Sequence, residues 1–345
     1  MRAAALVLGL VLVSGCVSAP ESEALPHVGF VVKRTGSSFA QEMTSGFHEG
    51  VGRVGGVSAT VTGPPGQDGH REVGLFRDLS AAATSGIAVA TSEPALMAPS
   101  IREALTRRVP VIGVDMRLTA SSRVRLHIGN DNHELGENLA DELIRRMPAD
   151  ATGTVVLGNT APGLSGFDDR ADGIRGRFAE KLPGVLVLGP FDTQRDDDAN
   201  QDAWRRLVAA NPDALAFMGT GDCDGVSLAA LKTEKKSARW LAGGFGVDPR
   251  TLQAVRDGAM VATVSPEHYL NAAVAGWLLA RRATSGAALP EGWIETPGLT
   301  VTSANLGRVL RRQESERARR EFFQPQIDSF VEDPASWVRP LEQAR

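Results

Sequence analysis

The sequence predicts an α/β protein of two lobes, each a parallel sheet covered by helices. Three observations carry this. Short apolar runs rich in β-branched residues alternate with stretches of helical spacing from His27 to Arg282, the pattern of parallel sheets wrapped in helices. Runs such as residues 109–114 are apolar throughout rather than alternating, as strands buried on both faces are. The rhythm breaks at Gly129-Asn130-Asp131-Asn132 and restarts near Gly153, and it carries too many strands for one comfortable sheet.

Length and composition agree. The 345 residues, 42% hydrophobic and 23% charged, suit two domains of about 150 residues each. The formal net charge of −4 is interspersed and aromatic content is only 5%. With no basic stripe, a nucleic-acid surface is not expected. The 37 glycines fit a chain with many tight turns between strands and helices. Neither Cys16 nor Cys223 has a plausible local disulfide partner.

In order along the chain, residues 1–15 read as an export signal. Arg2 supplies the positive start, and residues 3–13 an apolar run too short to span a bilayer. Val13-Ser14-Gly15-Cys16 resembles the bacterial lipobox, which implies cleavage before Cys16 and lipidation of its thiol. Lipid at Cys16 would anchor the protein to a membrane surface without a spanning helix. A plain secretory signal with an incidental Cys is the alternative. Residues 16–26, small, acidic and Pro-containing, read as a tether.

Strands are then expected at 27–32, 57–61, 86–90, 109–114 and 124–128, with helices at 39–51, 72–83 and 98–107 between them and 134–147 after them. Past the restart, strands at 153–157, 185–188, 214–218, 239–242 and 260–264 alternate with helices at 170–181, 200–210, 225–231, 249–256 and 268–282. Residues 306–345 are charged, have helical spacing and lack strand signals. They are expected as one or two helices packed outside a lobe.

The pivotal stretch is residues 109–132. It places the carboxylate of Asp115 at the end of a buried strand, just before a polar, Gly-containing break. Open α/β sheets bind ligands just outside the carboxyl ends of their strands, and a break there lets the chain leave one sheet for another.

Several segments, in this order, carry a family likeness: GFVVKRTGSSFAQEMTSGF, VPVIGVDMR, HIGNDNHELGENLADEL, FDDRADGIRGRF, NPDALAFMGTGDCDGVSLAAL and GGFGVDPRTLQAVRDGAMVATVSPEHYL. Together they resemble the periplasmic sugar-binding proteins of ABC transporters, ribose-binding type, over roughly residues 28–306. The resemblance implies the type I periplasmic binding fold, two Rossmann-like lobes joined by a three-strand hinge. Crossovers are expected near Gly129-Asn130, Ser265-Pro266 and Pro297-Gly298. The lobes would then be residues 27–128 plus 265–295 and residues 129–264 plus 296–305, with 306–345 as an extension.

Matched by position, the resemblance implies ligand-binding roles for Lys33, Ser37, Phe39, Asp115, Arg117, Asn130, Arg170, Asp222 and Phe245. Asp248 and Glu267 are further candidates beside altered positions. Met116 stands where ribose-type members have Arg, Gly221 where Asn is usual, Gly246 where a second Asp is usual, and Pro266 where Gln is usual. These departures remove sugar-hydroxyl partners, so a small neutral polyhydroxy ligand other than ribose is expected. Carboxylates such as Asp115 accept from hydroxyls, Arg170 donates in a fork, and Phe39 covers the ring face.

Other signals are weaker. Asp196-Asp197-Asp198 reads as a solvated loop rather than a cation site. Asp222-Cys223-Asp224-Gly225 lacks the rest of a calcium loop, and Cys223 reads as a small packed thiol. No nucleophile–base pair or metal set is found, so neither an enzyme nor a cofactor or metal is expected. The expected partners are a sugar or polyol, an ABC permease and, through the lipid, a membrane, for an exported monomer. A sensor subunit that presents its closed form to a membrane receptor or kinase is the alternative.

Overall fold

The computed structural model describes residues 24–235 and 238–345. The signal segment, Cys16 and most of the tether lie outside the described residues. The first lobe opens with β1 (His27–Val32), α1 (Ser38–Val54), β2 (Ser58–Thr62), α2 (Gly69–Ala82), β3 (Gly86–Ala90), α3 (Pro94–Thr106), β4 (Val111–Val114) and β5 (Leu126–Gly129). The second contains α4 (Asn132–Ile144), β6 (Gly153–Asn159), α5 (Ser165–Lys181), β7 (Val185–Asp192), α6 (Asp197–Ala210), β8 (Ala216–Gly219), α7 (Asp222–Glu234), β9 (Leu241–Phe245), α8 (Pro249–Arg256) and β10 (Ala262–Ser265). The chain returns through α9 (His268–Ser285) and β11 (Gly292–Glu295), then crosses again to β12 (Leu299–Val301) and α10 (Leu306–Gln313). It finishes with α11 (Glu316–Glu332) and β13 (Val338–Arg339).

Two sheets result, in the orders β13-β11-β5-β4-β3-β1-β2 and β12-β10-β9-β8-β6-β7. Pairing is parallel except for β10 with β12 and β11 with β13. The chain therefore passes between sheets after β5, after β10, after β11 and, through α10 and α11, once more after β12. This is the two-lobed α/β fold that the alternation predicts, with the three linkers that the family resemblance implies.

Both lobes use the same packing device. Helices α1 and α9 approach so closely that a Cβ at Gly46 or Gly50 would lie 2.1 Å or 2.0 Å from a backbone oxygen of α9. Helices α4 and α5 repeat this, with Gly136 and Gly173 each facing a carbonyl at 2.1 Å. Around the first pair the rings of Phe30 and Phe47 and the chain of Met43 are fully buried, each worth about 1.5–3 kcal/mol of apolar transfer.

The structure also moves expected boundaries. Helix α5 begins at Ser165 rather than near 170, and α6 at Asp197 rather than near 200. The Asp196 carboxylate accepts from the amides of Asp198 and Ala199, so the acidic run is a helix cap and first turn rather than a loop. The last 40 residues depart further from expectation. Helix α10 buries Val309 in the second lobe's core, while α11 buries Phe323, Ile327 and Phe330 against α9 in the first. Strand β13 then extends the first sheet. The segment thus spans both lobes, and a two-residue strand is too short to leave a periodic signature.

Candidate functional site

The site is built where parallel strands of the two sheets end. Asp115 follows β4 with φ 70°, a left-handed conformation that Asp tolerates better than most residues. It is only 4% exposed. Lys33, just past β1, donates to its Oδ2 at 3.0 Å, and His268 Nδ1, at the start of α9, stands 3.5 Å from its Oδ1. Burial pushes the Asp115 carboxyl up, but the Lys33 ammonium, His268 and the Arg170 guanidinium outweigh it and hold the group well below the usual carboxylate range. Burial lowers the His268 pKa despite the nearby Asp115, and it lowers His127, on β5, to about 4. Phe39, in the first turn of α1, carries the Lys33 ammonium 4.6 Å and the Arg34 guanidinium 5.7 Å from its ring centre, and stacks at a tilt on His268 at 5.6 Å.

In the second lobe, Arg170 lies on α5 with its guanidinium 4.4 Å from the ring centre of Phe245. Its Nε donates to Asn132 Oδ1 at 2.8 Å and its Nη1 to the Thr220 carbonyl at 2.9 Å. Burial lowers its pKa to about 10, so it stays charged at neutral pH. Below it, the fully buried Asp224 carboxylate accepts from Thr160 Oγ1, Thr193 Oγ1, Asn200 Nδ2, Trp204 Nε1 and the Gly221 amide, at 2.6–3.0 Å. That knot locks the start of α7 and so aims Asp222 across the interlobe space.

Between the lobes lies a cleft of ≈ 390 Å³, within the range of small-molecule sites. Of the expected residues, Ser37, Phe39, Asp222 and Asp248 line it. Asp115, Lys33, Arg170 and Phe245 are not among its lining residues, and the first two form an ion pair with each other. Three residues are directed elsewhere by stronger local partners. Arg117 is exposed and donates to the Ala344 carbonyl at 2.7 Å. Asn130 donates to the Thr296 carbonyl at 2.9 Å inside the hinge. Glu267 is gripped at 2.7 Å and 2.9 Å by the Arg312 guanidinium. Asp248 caps α8 through the Arg250 amide and also receives the Arg250 guanidinium. Gly246 has φ 90°, and a Cβ there would come 3.0 Å from that of Asp222, so backbone conformation excludes a side chain at this point.

Residues that the sequence did not single out complete the lining. Glu42 lies one turn beyond Phe39 on α1, and Arg34 and His268 flank elements already implicated. A three-residue step along α1 was the available signal for Glu42. Asp197 and Asp198, read as solvated, also line the cleft. So does Cys223, whose thiol is pushed up by burial and is unsuited to nucleophilic work. Buried polar atoms that make no hydrogen bond include Ser37 Oγ, Glu42 Oε2, Arg34 Nε and His268 Nδ1. All four belong to residues on the cleft wall, and such atoms need a partner to offset their desolvation.

The lobes touch beside this cleft. Arg34 reaches from the first lobe to Asp222 and Asp197 at 3.6 Å and 3.8 Å. Arg195 reaches back to Glu93 at 2.8 Å. An apolar contact of Met116 with Ala161, Leu164 and Phe167 joins the far side. Two sheets joined by linkers, with a strand-end cleft between the lobes, form a frame of the kind that can move by hinge closure.

Comparison with known proteins agrees with this geometry. Residues 28–287 match the family described as periplasmic binding protein domain. The ribose import binding protein RbsB of Salmonella typhimurium is 24% identical over 266 residues, covering 77% of this chain and 87% of that protein. The D-allose-binding periplasmic protein of Escherichia coli is 22% identical, with 75% and 83% covered. A solved ABC transporter solute binding protein from Agrobacterium vitis, with bound D-fucose, superposes with a TM-score of 0.72 at 21% identity, covering 81% of this chain and 96% of that one. The match spans most of the chain and its fold is the one built above, so this protein belongs to the periplasmic binding protein family, whose members bind solutes rather than act as enzymes.

Proposed function

We propose that this protein is an exported, lipid-anchored solute-binding protein that captures a small polyhydroxy ligand, a sugar or polyol, for an ABC importer by hinge closure. The observation that carries the reading is the strand-end cleft with unpartnered polar atoms on its wall, among them Ser37 Oγ and Glu42 Oε2. Hydroxyls both donate and accept, so a polyol can satisfy an acidic and a hydroxyl acceptor at once. The names of the ribose, allose and fucose binders point the same way.

A thermal-shift screen of the mature protein against sugars and polyols checks it. A ligand at about 100 times its Kd stabilises by about 2.7 kcal/mol, which raises the midpoint by roughly 4 °C for a protein of this size. The reading is lost if no sugar or polyol moves the midpoint while a peptide or an apolar solute does.

Anchoring rests on Val13-Ser14-Gly15-Cys16. No helix among the described residues is long and apolar enough to cross a membrane. Cys16→Ser is expected to move the protein from the membrane fraction to the released fraction on fractionation of cells. Retention of the variant in the membrane would rule the lipid anchor out.

A further inference from the structure

We propose that the ligand bears a protonated amine, as an amino sugar or amino polyol does, and that Glu42 receives its ammonium group. This rests on the cleft being a polyhydroxy-ligand site and narrows the class of ligand it takes. Glu42 is 2% exposed and lines the cleft. Its Oε1 accepts from Gln313 Nε2 at 2.7 Å, while its Oε2 is buried with no partner. The Arg312 guanidinium holds both oxygens of Glu267. His268 turns its Nδ1 to Asp115 Oδ1, 3.5 Å away, rather than to Glu42.

A buried carboxylate with an unpaired oxygen is costly. A hydroxyl donor would complete its hydrogen bonds but leave the charge, whereas an ammonium offers three donors and the opposite charge.

The facing wall has the same sign. Asp197, Asp198 and Asp222 line it, and two of them share Arg34 at 3.8 Å and 3.6 Å, beyond hydrogen-bond length. Asp248 is occupied by Arg250 at 3.0 Å and 3.3 Å. Among the described residues, five carboxylates and two guanidiniums line the cleft, and no lysine does. Electrostatic complementarity across such a surface selects a cationic partner.

The test is calorimetry at pH 7 with matched pairs: glucose and glucosamine, and sorbitol and its 1-amino analogue. N-acetylglucosamine serves as the uncharged derivative. The aminated member of a pair is expected to bind at least about tenfold tighter than its neutral parent, the lower end of a charge-assisted bond. N-acetylation should remove that advantage on the unaltered protein. Glu42→Gln, which keeps the shape, should bring the ratio of amine to neutral affinity towards one. Neutral members binding as tightly as aminated ones would overturn the inference and leave the polyhydroxy reading standing, as would an undiminished preference in Glu42→Gln. Failure of every neutral and aminated compound to bind would overturn both.

Discussion

Replacing Asp115 with Ala should cost the protein about 3–5 kcal/mol of stability and at least about tenfold in ligand affinity. The carboxylate is buried, with Lys33 at 3.0 Å and His268 at 3.5 Å, and it lies in the field of Arg170. Removing it strands the Lys33 ammonium, whose side chain is only 12% exposed. It also frees Lys33 and His268, which both pack against the Phe39 ring at the cleft wall. Asp115→Asn keeps an acceptor for Lys33 and tolerates the left-handed backbone, so it should fall between the two.

The pH dependence follows in sign. The folded carboxyl has a depressed pKa, so its contribution is complete above the unfolded value near 4 and is lost as pH falls from there towards the folded one. Urea unfolding at pH 7 and at pH 3 should show the gap between parent and Asp115→Ala narrowing in acid. An equal gap at both pH values would mean that the ion pair is not its source.

Arg312→Met should lower the melting midpoint by about 5 °C, as expected for a loss of about 3–5 kcal/mol. The Arg312 side chain is 0% exposed. It holds both oxygens of Glu267, reaches Ser265 Oγ at 3.3 Å, and lies 4.7 Å and 5.0 Å from the ring centres of Phe322 and Phe323. Glu267 sits in the second linker in a left-handed conformation, φ 55°. Burial raises its pKa even though Arg312 pulls it down. Without Arg312 a lone carboxylate remains buried beside the hinge. The double variant Arg312→Met with Glu267→Gln removes both charges and should recover most of the midpoint. A parental midpoint for the single variant, or no recovery in the double, would show that the pair does not brace the linker.

The sequence by itself determined the fold class and the family. Alternating apolar runs and helical spacing are local, and residues 109–114 and 153–157 carry the signal without help from distant chain. It also placed Asp115, Asp222 and Asp248 after strands, because a parallel strand that ends on a polar residue delivers it to the open edge of the sheet. Tertiary structure alone decided which of these groups reach the cleft. Asp115 is claimed by Lys33 from 82 residues away, and Glu267 by Arg312 from 45 residues away. Arg117 is drawn off by the Ala344 carbonyl at the far end of the chain, while Glu42, on an ordinary turn of α1, is left with a free buried oxygen. The fate of a buried charge depends on what the folded chain brings within about 4 Å of it, since Coulomb attraction and hydrogen bonding must offset desolvation at that range, and no pattern along the sequence records those encounters.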